Sequence, residues 1–240
     1  MLLLLSVTVQ VQAHTADAAQ AVVMPQESVV ILHGIARSHR HMAPLAHYLE
    51  AQGYRVFNMD YPSTTQPIEP LLALIISEVD RRVPQDQTVH FVGYSMGGIL
   101  IRALMHSARP KNLGKVVQLA PPNQGSQVAD FLRNNWFYKK IYGPAGQQLG
   151  MDQSAIVHLF GKVDYPLGIL AGNRTIDLLS SWIIPGEDDG KVSIESTKLP
   201  GMADHMVVAS SHFFFPSNTE VHKQVAYFLQ YGYFDRVTKE

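Results

Sequence analysis

The run Gly93-Tyr94-Ser95-Met96-Gly97 sets one hydroxyl between two glycines, where an apolar stretch (88–94) gives way to a helix-forming one (96–108). Gly and Ser are also common turn residues, so the pentapeptide means little without partners. A serine becomes a nucleophile only when a base takes its proton, and that base, usually histidine, needs a carboxylate to orient it. Eleven histidines are available. His90 falls in a strand-like run, His106 and His222 fall in helical patterns, and His47 and His158 fall on helix surfaces. His205 stands at the start of the last strand-like run, at the wrong end of a sheet. His212, in "VVASSHFFF", sits in a loop just past that run and is the expected base.

The acid is expected from "PGEDDGKV" (185–192), between the strand-like run 167–172 and the His212 loop. Asp189 abuts Gly190, where the chain can turn tightly and aim a carboxylate back at the site; Asp188 is the rival. Three adjacent acids alternate in direction and cannot converge on one ion, so no metal is expected. The His39-x-His41 tract reads as a solvated loop. An oxyanion forming at Ser95 needs two backbone donors. One is the N–H after the nucleophile, Met96; the other comes from the loop after the first strong strand, His33-Gly34-Ile35, which makes Ile35 the candidate.

These residues must be held by something, and the pattern says what. Short apolar runs at 28–34, 54–61, 88–94, 115–122, 167–172 and 205–209 alternate with amphipathic stretches at 42–53, 68–82, 96–108 and 217 onward. Continuous apolar strands separated by helices argue for a mainly parallel central sheet covered on both faces. Ser217 and Glu220 match a capping box for the last helix. The 240 residues, 46% hydrophobic and 16% charged, suit a single α/β domain over 25–240. A net charge of −1 without charge blocks gives no reason to expect nucleic acid, and no cysteine is present for a thiolate site.

Two segments stand apart. "MLLLLSVTVQVQA" (1–13) has the apolar run and small-residue end of a signal peptide, though no Lys or Arg precedes the run. It implies a secreted or periplasmic protein, or a cytoplasmic one if the segment is not a signal. Residues 126–165 hold no convincing strand and carry many aromatics. They read as a small helical cap insertion or as a plain sheet-packing helix with its loop. As a cap, Trp136, Phe137 and Tyr142 would bind substrate, while Lys139 and Lys140 would face solvent or an anionic lipid surface.

The order HGI (33–35), GYSMGG (93–98), D-G-x-V (189–192) and a final loop histidine resembles the α/β-hydrolase lipases. The nearest likeness is to small bacterial triacylglycerol lipases and esterases and to GPI inositol-deacylase-like hydrolases, over 28–230. "LAPPNQGSQVADFL" (119–132) is similar to the P-x-x-G-S segment of such enzymes. The resemblance implies an α/β-hydrolase fold with Ser95 as nucleophile, Asp189 as acid, His212 as base, and Ile35 and Met96 as oxyanion donors. The expected protein is a serine hydrolase of carboxylic, lipid-type esters that needs no cofactor. Its partner is a small-molecule or lipid ester, with peripheral contact to a lipid surface, and nothing points to a protein partner. A thioesterase, an acyltransferase, or a binding protein on the same fold without chemistry are the alternatives.

Overall fold

The computed structural model describes residues 26–152, 154 and 156–237; the signal-like segment 1–13 lies outside them. Six strands form one all-parallel sheet: β1 (Ser28–Leu32), β2 (Arg55–Met59), β3 (Val89–Tyr94), β4 (Leu113–Leu119), β5 (Leu167–Gly172) and β6 (Asp204–Val208). Their order is β2-β1-β3-β4-β5-β6. The helices are α1 (Ala43–Ala51), α2 (Ile68–Arg82), α3 (Met96–Ser107), α4 (Gln127–Leu132), α5 (Trp136–Gln147), α6 (Leu178–Ile183), α7 (Ile194–Thr197) and α8 (Thr219–Tyr231).

Alternate strand residues enter two different cores, as the two-residue period of a strand requires. Val30, Leu32 and Phe91 pack with α2 and α3 on one face. Val29, Ile31 and Val92 pack with α1 and α8 on the other. Both faces are therefore covered, which is why these strands read as unbroken apolar runs. In α2, Leu71, Leu72, Ile75 and Val79 form the buried stripe that helical spacing predicts.

The expected capping box does not form. Asn218 caps α8 instead, its Oδ1 accepting the N–H of Glu220 at 2.8 Å and of Val221 at 3.3 Å. The chain arrives through a 3₁₀ turn, His212–Ser217, inside which the Ser217 hydroxyl donates to the Phe214 carbonyl.

The strand order reverses between β1 and β3, because β2 follows β1 outward and the chain then returns to lay β3 on its other side. Such a switch point opens a crevice at the carboxyl ends of the strands. Leu32 pairs with Gly93 in register, so the loop after β1 and the turn after β3 emerge side by side.

Helices α4 and α5 sit over this end and are tied down. The Gln148 amide oxygen accepts the first N–H of α2, from Ile68, at 2.8 Å. Asp130 accepts the Met151 N–H at 2.8 Å, and Ser126 N–H bonds to the Leu149 carbonyl at 2.9 Å. Midway, α5 breaks at Gly143 (φ 59°), where any side chain would run into the Thr64 carbonyl. In this segment Ala129, Tyr138, Ala145 and Leu149 extend the core, while Phe131, Trp136, Phe137 and Ile141 stay exposed.

Candidate active site

Ser95 occupies the turn between β3 and α3 with φ 54° and ψ −122°, a conformation that costs an L-residue about 1–3 kcal/mol. The surroundings enforce it. Ser95 N–H donates to the Leu119 carbonyl at 2.8 Å, and its own carbonyl accepts the Gly98 N–H at 2.9 Å. A Cβ on Gly93 would come within 2.6 Å of the Gly97 backbone, and one on Gly97 would strike the Leu32 carbonyl. The two glycines let strand, turn and helix approach closely enough to raise the serine.

The structure brings the three expected side chains into one line. His212 Nε2 lies 3.1 Å from Ser95 Oγ, and its Nδ1 lies 2.7 Å from Asp189 Oδ2. Asp189 is 2% exposed, so its charge must be satisfied by hydrogen bonds. Oδ1 accepts the N–H of Lys191 at 3.0 Å and of Val192 at 2.8 Å. A further bond, His212 N–H to the Asp189 carbonyl at 2.8 Å, locks the two loops together. Asp188 is occupied elsewhere: it accepts the Ser181 hydroxyl at 2.6 Å and the Gly190 N–H at 2.7 Å, holding the turn.

Met96 is the first residue of α3, so its N–H has no intrahelical acceptor and lies at the positive end of the helix. On the other side, a Cβ on Gly34 would be 3.2 Å from Ser95 Cβ, and the next residue, Ile35, lines the same cavity as Ser95. His33 stiffens this loop. Its ring stacks on Tyr61 at 4.0 Å and 7°, its Nδ1–H donates to the Gly34 carbonyl at 2.8 Å, and its Nε2 accepts the Tyr61 N–H at 3.3 Å. Burial lowers the His33 pKa, in keeping with a neutral ring that donates at one nitrogen and accepts at the other.

A groove leads from Ser95 and His212 between Ile35, Val128, Ala129, Leu132, Tyr138, Tyr142 and Leu149. Tyr142 is where the sequence places it. Trp136 and Phe137 are not: they are 61% and 67% exposed and do not line the groove. The helical period explains the correction. Before the break at Gly143, positions 138 and 142 share the inward face of α5, whereas 136, 137, 140 and 141 share the outward one. Helical spacing from Tyr142 leads to Tyr138, four residues earlier, and not to Trp136 or Phe137.

Tyr94 was also missed. Its hydroxyl donates to the His212 carbonyl at 2.8 Å and so fixes the histidine loop from the strand that carries the serine. Nothing in a G-x-S-x-G pattern signals that role. Among the described residues no group of acids and histidines has metal-binding geometry.

The family model of the palmitoyl protein thioesterases matches residues 28–155. The chain belongs to this family. The match spans β1 through the insertion and includes Ser95; Asp189 and His212 lie beyond it. No curated protein matches the chain in sequence.

Among solved structures, a mature Bacillus licheniformis lipase superposes with a TM-score of 0.65 at 23% identity, over 86% of this chain and 92% of the lipase. A Legionella pneumophila phospholipase gives 0.58 at 17%, over 72% of this chain and 46% of its own. A type II thioesterase from a borrelidin cluster gives 0.52 at 18%, over 86% and 92%. This member of the palmitoyl protein thioesterase family has the α/β-hydrolase fold and is a hydrolase that acts on esters.

Proposed function

We propose that Ser95, His212 and Asp189 form a catalytic triad that hydrolyses lipid-type esters through an acyl-enzyme. The observation that carries this reading is the continuous line Oγ–Nε2, Nδ1–Oδ2, at 3.1 and 2.7 Å, opening onto an apolar groove. His212 Nε2 takes the serine proton as Oγ attacks the carbonyl carbon. The N–H groups of Ile35 and Met96 receive the resulting oxyanion. His212 then returns the proton to the departing group, and a water activated by the same nitrogen releases the acid. Asp189 holds the ring with hydrogen on Nδ1 and stabilises the imidazolium. A thioester is a second reading, which the family's own description favours. Incubation with a fluorophosphonate probe followed by peptide mapping is expected to place the label on Ser95 alone. Labelling elsewhere, or none, rejects the reading.

The acyl chain occupies the groove beneath α4 and α5. Leu132→Trp is expected to fill the groove and to cut kcat/KM for octanoyl relative to butyryl esters about tenfold, the loss of burying roughly two methylenes. An unchanged ratio places the chain elsewhere. Outside, exposed Phe131, Trp136, Phe137 and Ile141 with Lys139 and Lys140 suit contact with an anionic lipid surface. Trp136→Ser with Phe137→Ser should therefore leave soluble butyryl esters unaffected and slow hydrolysis of substrate held in anionic vesicles. The signal-like run 1–13 is the reason to place the enzyme outside the cytoplasm, in the periplasm or secreted.

A further inference from the structure

The cavity at Ser95 has two ends of different chemistry. The end beneath α4 and α5 is apolar. At the other, Arg37 lines the same cavity as Ser95 and His212, its guanidinium carbon 5.3 Å from the centre of the Phe213 ring. Phe213 directly follows the residue that must hand a proton to the departing group. Arg37 therefore stands at the His212 side of the rim, where a departing group would receive its proton.

The other basic groups at this rim are accounted for. Lys191 also lines the cavity, but its Nζ lies 2.7 Å from Asp177 Oδ2 and 3.1 Å from Ser180 Oγ. That pairing is firm: burial pulls the Asp177 carboxyl up, yet its bonds to Lys191 and Ser180 prevail and hold it at about 2. His41 lies between Tyr94 and Phe213, 5.6 and 5.5 Å from their rings. Burial, then the nearby Arg37, push its pKa down to about 4, so it is neutral near pH 7.

Arg37 differs from both. Its one hydrogen bond among the described residues runs from Nη1 to the carbonyl of its neighbour Ala36, at 2.9 Å. No carboxylate of the described residues pairs with it. The residue before it, Ala36, holds φ 53°, a left-handed conformation unfavourable for a residue with a Cβ. This bend turns the chain between Ile35, beside the nucleophile, and Arg37, at the rim. Four of the five guanidinium hydrogens stay open in a planar fork that fits phosphate oxygens, with an aromatic face beneath it.

We propose that Arg37 is a subsite for a phosphate-bearing leaving group, so that the enzyme favours acyl esters or thioesters whose departing alcohol or thiol carries a phosphate. The proposal rests on the reading of Ser95 and His212 as the acyl-transfer site. In the step it serves, the acyl C–O or C–S bond breaks as the Ser95 Oγ–C bond forms. The serine proton passes through His212 Nε2 to the departing oxygen or sulfur. Arg37 holds the phosphate and takes no part in proton transfer.

Two matched pairs test it. One is 1-octanoylglycerol against 1-octanoylglycerol 3-phosphate, the other S-octanoylpantetheine against S-octanoyl-4′-phosphopantetheine. Arg37→Gln is expected to lower kcat/KM on the phosphate-bearing member about tenfold more than on its neutral partner, as loss of one charge-assisted contact predicts. The wild-type preference should shrink as salt rises from about 0.05 to 0.5 M, through screening of an exposed charge. Arg37→Lys should recover part of it. An effect confined to the glycerol pair assigns the subsite to phosphoglycerides, and one confined to the thioester pair assigns it to pantetheine carriers. Equal losses on both members of each pair overturn the proposal, leaving ester hydrolysis intact. Failure of the wild type on every neutral ester overturns the underlying reading instead.

Discussion

Ser95→Ala is expected to lower kcat for a soluble butyryl ester by about 10⁵–10⁶, and His212→Ala by nearly as much. The reason is in the line of contacts. Ser95 Oγ is the hydroxyl in line for attack on the carbonyl, and among the described residues His212 Nε2, 3.1 Å away, is the base hydrogen-bonded to it. Without the hydroxyl no acyl-enzyme forms; without the imidazole the hydroxyl keeps its proton. Because the two act as one unit, their losses should not add, and the double variant should be little worse than either single one. Residual catalysis of about 10³ over water would come from binding and from the N–H donors of Ile35 and Met96. The measurement is kcat at saturating ester, with a thermal unfolding curve for each variant to show that it folds. A variant retaining more than about a tenth of wild-type kcat would mean that another group performs the attack.

The nucleophile and the Ile35 loop could be read from the chain because each sits at the end of a fully buried strand. β1, β3 and β5 are covered on both faces, so their sequences are apolar throughout and their ends are sharp. The residues that follow them, His33-Gly34-Ile35 and Ser95, are therefore placed once the strands are placed. Short elements left no such trace. α6 and α7 have six and four residues, too few to show a helical period, and went unread. On α5, a run this rich in aromatics does not show by itself which of them face the groove, and Tyr138 stands there where Trp136 and Phe137 are expected. Contacts between residues far apart in sequence are the hardest to see. Tyr94 hydroxyl to His212 carbonyl spans 118 residues, and His33 against Tyr61 spans 28. Each is fixed by strand order and not by any local pattern.

Asp189→Asn is expected to cost about 10⁴ in kcat, equivalent to roughly 5.5 kcal/mol of transition-state stabilisation, while Asp188→Asn should leave kcat within about threefold. Neither side chain changes size, so the difference is one of hydrogens. Asp189 Oδ1 accepts two backbone N–H groups, from Lys191 and Val192, and an asparagine would keep its oxygen there to satisfy them. Its NH₂ would then occupy the position 2.7 Å from His212 Nδ1. Two donors cannot share that contact. The histidine must move its hydrogen to Nε2, the nitrogen that has to accept the serine proton, and the base is lost with the geometry intact. Asp188 has no such link to the ring. An asparagine there can still accept the Gly190 N–H, and its NH₂ can donate to the Ser181 oxygen in place of accepting from it. The turn loses little, on the order of 1 kcal/mol, seen as a small fall in melting temperature. Nitrogen NMR of His212 in the two variants would separate the cases directly, with hydrogen on Nε2 in Asp189→Asn and on Nδ1 in Asp188→Asn. An inactive Asp188→Asn beside an active Asp189→Asn would assign the acid to the neighbouring carboxylate and require the 188–192 turn to rearrange.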